Sequence, residues 1–367
     1  MANTIELKLG NTIYSGWKKL DVTRSLEDMS GQFSLGITVK NDDSPLVLKP
    51  GQACQLAMNG QPVVTGYVDT VEVSISSDER TITLSGRDKT GDLVDCAAIH
   101  GKGQWRNVNL ETIAKDLCQP FGVTVRWQVT DAAAATVFRQ WQIEPGETVF
   151  DNLSRAARHR GVLMTSNAAG ELVFTNASTQ TVATLILGKS ERQGVKILSL
   201  DTTLSWQERF SVYRVKGASA AGGRWGETQT PVQSTAIYMD AKDPEISRYR
   251  PTIVIADDNM TKAKGTARAA WEQKRAMAHG IKANATVRGW FQASGQLWQT
   301  NNLVQLHAVP AGFVDEQLLI VSVNFLLDND GGTVTRLELM PREGFTEPAD
   351  PEKSEVKGKH SDIRWKP

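Results

Sequence analysis

The chain has 367 residues, enough for roughly two to four domains, and 40% of them are hydrophobic. Lys and Arg together number 41 and so do Asp and Glu, so the formal net charge is zero. That balance excludes a general binder of nucleic acid or of anionic membranes, which needs a basic surplus. With no basic-then-apolar opening and no apolar run near ~20 residues, neither a secretory leader nor direct membrane insertion is expected.

Residues 1–99 read as strands. Asn59-Gly60 between Gln55-Leu56-Ala57-Met58 and Val63-Val64 predicts a two-residue hairpin, because both turn positions need positive φ. Val71, Val73 and Ile75 alternate with polar residues, Ser77-Asp78-Glu79 turns the chain, and Thr81-Ile82-Thr83-Leu84 alternates again. That pattern predicts a half-buried hairpin in a first β-barrel.

Residues 100–176 change period. Leu110, Ile113, Ala114, Leu117, Cys118 and Phe121 recur at helical spacing, with Asn107 or Asn109 as N-cap and Gly122 past the end. Val123 to Trp127 then reads as a strand. The unit returns 39 residues later, when Val149, Leu153, Ala156, Ala157, Gly161 and Val162 take the places of Leu110, Ala114, Leu117, Cys118, Gly122 and Val123. Ala132 to Ala135 read as a loose connection. A hairpin from Val162 to Phe174 closes a small α+β domain.

Residues 177–217 and 281–345 are expected to form a second β-barrel, interrupted by a block at 218–280. In that block Ala218 to Asp240 reads as a loop and Thr252-Ile253-Val254-Ile255 as a short buried strand. Thr261 to His279 reads as a helix capped by Asn259 or Thr261 and ended by Gly280, with a thin apolar face of Ala267, Ala270, Trp271 and Met277. The remainder, 346–367, carries prolines and mixed charges and cannot build a core. Its end, Asp362-Ile363-Arg364-Trp365, places Ile363 and Trp365 on one side of an extended strand, as candidate partner-interface anchors. A solvated terminus without function is the competing reading.

The fold class is therefore α+β, mostly β: two duplicated small β-barrel domains, a small α+β domain and an inserted strand-helix domain. The duplication is visible in residues. Leu20-Asp21-Val22-Thr23 to Phe33-Ser34-Leu35 parallels Leu200-Asp201-Thr202-Thr203 to Phe210-Ser211-Val212. Gly51 to Leu56 parallels Asn301 to Leu306, and Thr81 to Asp88 parallels Arg336 to Glu343. The offset rises from 177 (210 − 33) to 250 (304 − 54), so the second copy carries about 73 extra residues.

Candidate chemistry is sparse. His100, His159, His279, His307 and His360 have no metal-ligand spacing, and no metal or cofactor is expected. Gly188-Lys189-Ser190 lacks the first glycine of a phosphate loop, since Ala183 stands there. Asp88, Asp92 and Asp95 cluster as a carboxylate site could, but read more simply as a solvated face. Cys54, Cys96 and Cys118 read as reduced core residues. Among the ten tryptophans, Trp298 reads as structural; others read as core or as interface anchors. No catalytic residue is assigned.

Several stretches, in order, are similar to the baseplate hub proteins of Mu-like contractile-tailed bacteriophages. They are Gly86 to Ala98, Arg160 to Phe174, Tyr249 to Asp257, Ser294 to Trp298 and Asp330 to Leu337. The resemblance spans nearly all of 1–345 and is weakest in 218–240 and in the tail. It implies a structural, non-enzymatic virion protein of the tail baseplate, assembled in the host cytoplasm. It implies a homotrimer whose two barrels per chain form a pseudo-sixfold ring, partnered by the tail tube, other baseplate proteins and the tail spike protein. It further implies a channel through which DNA passes without sequence-specific binding. A hub of a contractile injection system and a tail-associated cell-wall hydrolase are the alternatives.

Overall fold

The computed structural model describes residues 3–40, 47–188, 193–218, 236–255, 260–328 and 332–346. The first module holds β1 (Ile5–Leu9), β2 (Thr12–Tyr14), β3 (Lys19–Ser25), β4 (Gln32–Lys40), β5 (Ala53–Met58), β6 (Gln61–Ile75) and β7 (Glu79–Asp88). Their order is β2-β1-β5-β6-β7-β4-β3, all antiparallel. Asn59 (φ 48°) and Gly60 (φ 77°) make the expected β5–β6 turn, and the Asn59 side chain accepts from the Thr4 N–H at 2.6 Å.

The α+β domain follows. It contains α1 (Gly91–Asp95), β8 (Gln104–Val108), α2 (Leu110–Cys118), β9 (Val125–Trp127), β10 (Phe138–Gln142), α3 (Val149–Arg160), β11 (Leu163–Ser166) and β12 (Leu172–Thr175). Asn109, not Asn107, caps α2, while Thr148 and Asp151 form a reciprocal capping box on α3. Gly122 (φ 64°) and Gly161 (φ 61°) end the two helical units in the left-handed conformation that glycine favours. The repeated helix–Gly–strand unit is real but not symmetric: β9 joins β12 in parallel and β11 joins it antiparallel. Ala132–Ala135 form a single 3-10 turn.

The second module holds β13 (Thr181–Ile186) and β14 (Val195–Leu204) before an insertion. That insertion carries β15 (Val212–Ala218), β16 (Ala236–Lys242), β17 (Pro251–Ile255) and α4 (Lys262–His279). The module resumes with β18 (Ile281–Arg288), β19 (Leu303–Ala308), β20 (Phe313–Asp328) and β21 (Gly332–Met340). Its six strands close as β13-β14-β18-β21-β20-β19, with β19 returning onto β13. In the first module no ladder joins β2 to β3 among the described residues, so that barrel is open there.

Strand pairing sets the true equivalence of the two copies. β6 bulges against β7 between Val68 and Thr70, and β20 bulges against β21 between Ile320 and Ser322. Aligned on that bulge, Cys54 matches Val304 and Val71 matches Val323, as expected. Leu84, however, matches Leu337 rather than Leu339, because Val71 faces Leu84 while Val323 faces Leu337. Leu20 matches Leu200, but the partner of β14 is β18 and not the Phe210 segment, so Leu35 matches Ala285. β15 lies in a separate sheet, β16-β15-β17. The insertion therefore starts after Leu204 and not after Gly217, and the offset steps from 180 (200 − 20) to 250 (285 − 35).

Three expectations in the insertion change. Ala236 to Asp240 are strand, not loop. β17 alternates exposed and half-buried residues instead of being buried, because only one face of its sheet is covered by α4. Helix α4, capped by Thr261, turns Gly265, Ala269, Trp271 and Ala278 inward, while Ala267 is exposed. Gly265 lets the helix approach closely: a Cβ would stand 2.7 Å from Met239 Cγ, so the methionines would have to shift.

One hydrophobic cluster runs through both modules, from Leu7, Leu56 and Leu84 to Val304, Phe325 and Leu337. A second fills the α+β domain around Leu110, Leu117, Leu153 and Phe174. Trp298 is buried as expected, with Trp17, Trp105, Trp141, Trp271 and Trp290, whereas Trp206 is exposed. Cys54 and Cys118 are buried, and burial pushes both thiols up to about 12; Cys96 is exposed, contrary to expectation.

Candidate assembly surfaces

The carboxylate cluster is dispersed into structural roles. Asp88 is buried and accepts five hydrogen bonds: from Ser30 Oγ (3.1 Å), Gly31 N (2.8 Å), Thr90 N (3.0 Å), Thr90 Oγ1 (2.6 Å) and Ser166 Oγ (2.6 Å). Its two oxygens are thus fully engaged by donors of the protein itself. Arg24 joins the same knot, donating to the Val63 carbonyl and to the Ser166 carbonyl and hydroxyl. Burial pulls its pKa down against the opposing charge of Asp88. The knot ties the α+β domain to the first module. Asp95 pairs with Arg87 through two hydrogen bonds, at 3.1 and 2.7 Å, which hold its carboxyl below the ordinary range. Asp92 lies in the first turn of α1.

Other charged groups brace domains too. Arg342 donates to the Ala177 and Ser178 carbonyls, fixing the segment that enters the second module. Arg209 pairs with buried Asp243 at 2.8 Å and with Glu245 at 2.7 Å, which together outweigh desolvation and raise its pKa. A cleft of about 1170 Å³ opens between the modules and the α+β domain, lined by Arg24, Ser166, Asn176, Trp298 and Asn301 and reaching Thr346. Among the described residues, no group of three His, Cys, Asp or Glu side chains is placed to hold a metal. Lys189 and Ser190, and the expected anchors Ile363 and Trp365, lie outside the described residues.

Two strand edges next to the joint between the modules are left without a partner among the described residues. The two modules are joined within the chain by an antiparallel ladder, β20 on β3, in which Val323 faces Arg24, Phe325 faces Val22 and Leu327 faces Leu20. Val323 and Phe325 are wholly buried there, as is Val22. The equivalent half of β6, Thr70 to Ile75, has no strand on its outer edge among the described residues. The strand equivalent to β3 is β14, and its Leu200 to Leu204 edge is likewise open, since β13 touches β14 only at Val195 and Lys196. Alternation predicts that Val73 and Ile75 are buried, yet they are 36% and 62% exposed, and Leu204 is 66% exposed. Val73 and Ile75 lie beyond the bulge, past the reach of β5, where β6 pairs with β7 alone.

Comparison with known proteins decides the family. Residues 4–88 match the Mu phage baseplate assembly protein GpP-like N-terminal family, and 90–176 match the second domain of the gp44-like baseplate hub family. Residues 261–348 match the GpP fourth domain. The chain is 41% identical over 358 residues to the baseplate hub protein gp44 of Escherichia phage Mu, covering 98% of this chain and 93% of that one. It belongs to the baseplate hub proteins of Mu-like phages. The 43 kDa tail protein of prophage MuSo2 from Shewanella oneidensis superposes with a TM-score of 0.80 at 36% identity, over 94% of this chain and 100% of that one. A tail protein from Neisseria meningitidis has the same fold, with a TM-score of 0.80 at 23% identity, over 96% and 99%. A type VI secretion component from E. coli shares the fold more distantly, with a TM-score of 0.57 at 12% identity over 95% and 80%. A hub of this family is a structural part of the phage tail.

Proposed function

We propose that this hub works as a homotrimer whose six β modules form a pseudo-sixfold ring. Such a ring presents near-sixfold symmetry to the tail tube on one face and threefold symmetry to the trimeric spike on the other. The observation that carries the reading is the equivalence of five strands in each module, β3, β4, β5, β6 and β7 with β14, β18, β19, β20 and β21, bulge included, together with the edge-to-edge joint at β20 and β3. DNA passes through the centre once the spike has left. The balanced charge supports free passage, because a dense basic lining would hold the duplex by many phosphate contacts. The particle is assembled in the host cytoplasm, and the hub subunit itself carries no hydrolase activity. Identity of 41% to a phage hub, against 12% to the secretion component, favours a phage over an injection device.

The decisive measurement is the native mass by light scattering. A trimer gives about 120 kDa, three times the chain mass of 40.2 kDa. A monomer or dimer at near-physiological salt overturns the ring.

The segment 347–367 acts as a partner-binding arm through Ile363 and Trp365. The described chain reaches Thr346 at the lip of the interdomain cleft, which supports this. Truncation after Phe345 separates the outcomes: loss of spike binding alone assigns the arm to the spike, and dissociation of the trimer makes it a subunit clasp. Unchanged spike affinity in an intact trimer removes the arm.

A further inference from the structure

We infer that the open edge of β6 in one copy pairs with the open edge of β14 in the next, in a register dictated by the ladder inside each chain. The inference rests on the trimer reading and specifies its contact.

The template is the covalently linked joint. In it, the second module's β20 offers Ser322 to Leu327 to the first module's β3. Bulge alignment carries Ser322 onto Thr70, Val323 onto Val71, Phe325 onto Val73 and Leu327 onto Ile75. The β3 side carries Leu20 onto Leu200 and Val22 onto Thr202. Substituting equivalents gives the contact between copies. Val71 faces Leu204 of the next copy, Val73 faces Thr202, and Ile75 faces Leu200.

Three physical arguments support this occupant. First, both edges expose backbone donors and acceptors together with apolar side chains, and neither carries the lysine or proline that normally protects a bare edge: Thr70 to Ile75 reads TVEVSI and Leu198 to Leu204 reads LSLDTTL. Second, the side-chain chemistry fits. Glu72 comes opposite Thr203, whose hydroxyl can donate to the carboxylate, as Asn324 donates to Asp21 and Thr23 in the internal ladder. Third, each chain has one edge of each kind. The contact is head-to-tail, so every copy added buries one edge and presents another until the ring closes. Repeating one joint within and between chains makes the six modules near-equivalent neighbours. The apolar strip that ends at Val73 and Ile75 then continues into the next copy, as it already continues from Phe325 to Val22 inside the chain.

The test is directed cross-linking of the full chain. In a Cys96→Ser background, Val73→Cys and Thr202→Cys are combined in one chain. Mild oxidation is expected to link copies head-to-tail, giving covalent dimers and trimers on non-reducing denaturing gels. A control pairs Val73→Cys with Leu198→Cys. Leu198 lies four residues from Thr202, about 13 Å along the strand, beyond the reach of a disulfide, so no link is expected. In parallel, Val73→Lys with Ile75→Lys places two cations on side chains that are exposed within a single chain. It is expected to sediment as a folded monomer that still unfolds cooperatively, with a midpoint that no longer depends on protein concentration. Two results overturn the inference distinguishably. If the native mass is threefold but only the control links, or neither pair does, the edges are misassigned while the trimer stands. If the unaltered chain is monomeric throughout, trimer and edge pairing fall together.

Discussion

At the residue scale, Asp88 shows how a carboxylate cluster in sequence becomes a joint in structure. Five donors converge on it, from the first module, from the turn before α1 and from Ser166 across the domain boundary. Asp88→Ala strands those donors in a buried site, so a loss of about 3–5 kcal/mol is expected in denaturant unfolding. Ser166→Ala, which removes one donor, should cost about 1–2 kcal/mol. The two losses should be non-additive in a double-mutant cycle, and simple additivity would mean that the knot does not couple the domains. Glu147 sets an acid limit. Burial alone pushes its pKa up, but hydrogen bonds from Arg155, the Glu144 N–H and Asn152 prevail and hold it below the ordinary carboxylate value. A folded-state pKa below the unfolded one contributes stability that is present above the unfolded value and is lost as pH falls through the folded one. Glu147→Gln should therefore lower stability at neutral pH and flatten its decline below the ordinary carboxylate range, measured by unfolding at a series of pH values. An unchanged acid slope would move the limit to another carboxylate.

At the element scale, the capping box on α3 and the crowded crossing of β6 over β7 make separate predictions. Thr148→Ala removes the side chain that accepts from Asp151 N at 3.1 Å and should cost about 1 kcal/mol. Gly86→Ala should be far worse, because its Cβ would stand 2.1 Å from the Tyr67 carbonyl oxygen and 2.8 Å from the Phe33 ring. Failure to recover folded protein is expected for Gly86→Ala beside normal recovery of Thr148→Ala; equal recovery would show that β6 can shift. The duplication, both long helices and the Asn59-Gly60 hairpin were legible from periodicity and caps. Two alignments were not, for definable reasons. Side chains in a strand repeat every two residues, so sliding Leu84 from Leu337 to Leu339 keeps every side chain on its own face and leaves the alternation unchanged. Only the bulge breaks that degeneracy, and a bulge has no distinct sequence pattern here. The Phe210-Ser211-Val212 stretch resembles Phe33-Ser34-Leu35 locally, but its strand finds partners in β16 and β17, whereas β4's true counterpart, β18, begins only after the insertion. The two open edges were legible only as hydrophobic alternation. That pattern predicts burial, whereas Val73 is exposed within the chain and its equivalent Phe325 is buried against β3.

At the scale of the whole molecule, the chain is built around two cores of different reach. The larger is continuous through both β modules, because the β20–β3 ladder removes the boundary between them and sets Phe325 against Val22. The smaller belongs to the α+β domain alone, save for Met29, and is held to the first module mainly through polar contacts at Arg24, Thr65 and Asp88. Hydrogen-bonded joints of that kind transmit less cooperativity than a shared apolar core, so the two modules should unfold as one unit and the α+β domain should open more independently. Phe325→Ala tests this, since Phe325 is fully buried and its truncation should cost about 3–5 kcal/mol. Native-state hydrogen exchange should then show amides of β4 and β7 in the first module losing protection by nearly the same free energy as those of β18 and β21 in the second. Amides of α2 and α3 should change less. A loss confined to the second module would mean that the modules fold separately and are only hinged at β20. A loss shared equally by α2 and α3 would mean that the polar knot couples as strongly as the core. Joint unfolding of the two modules is what the proposed ring requires, because a ring that yielded at the joint inside each chain would lose its near-sixfold arrangement.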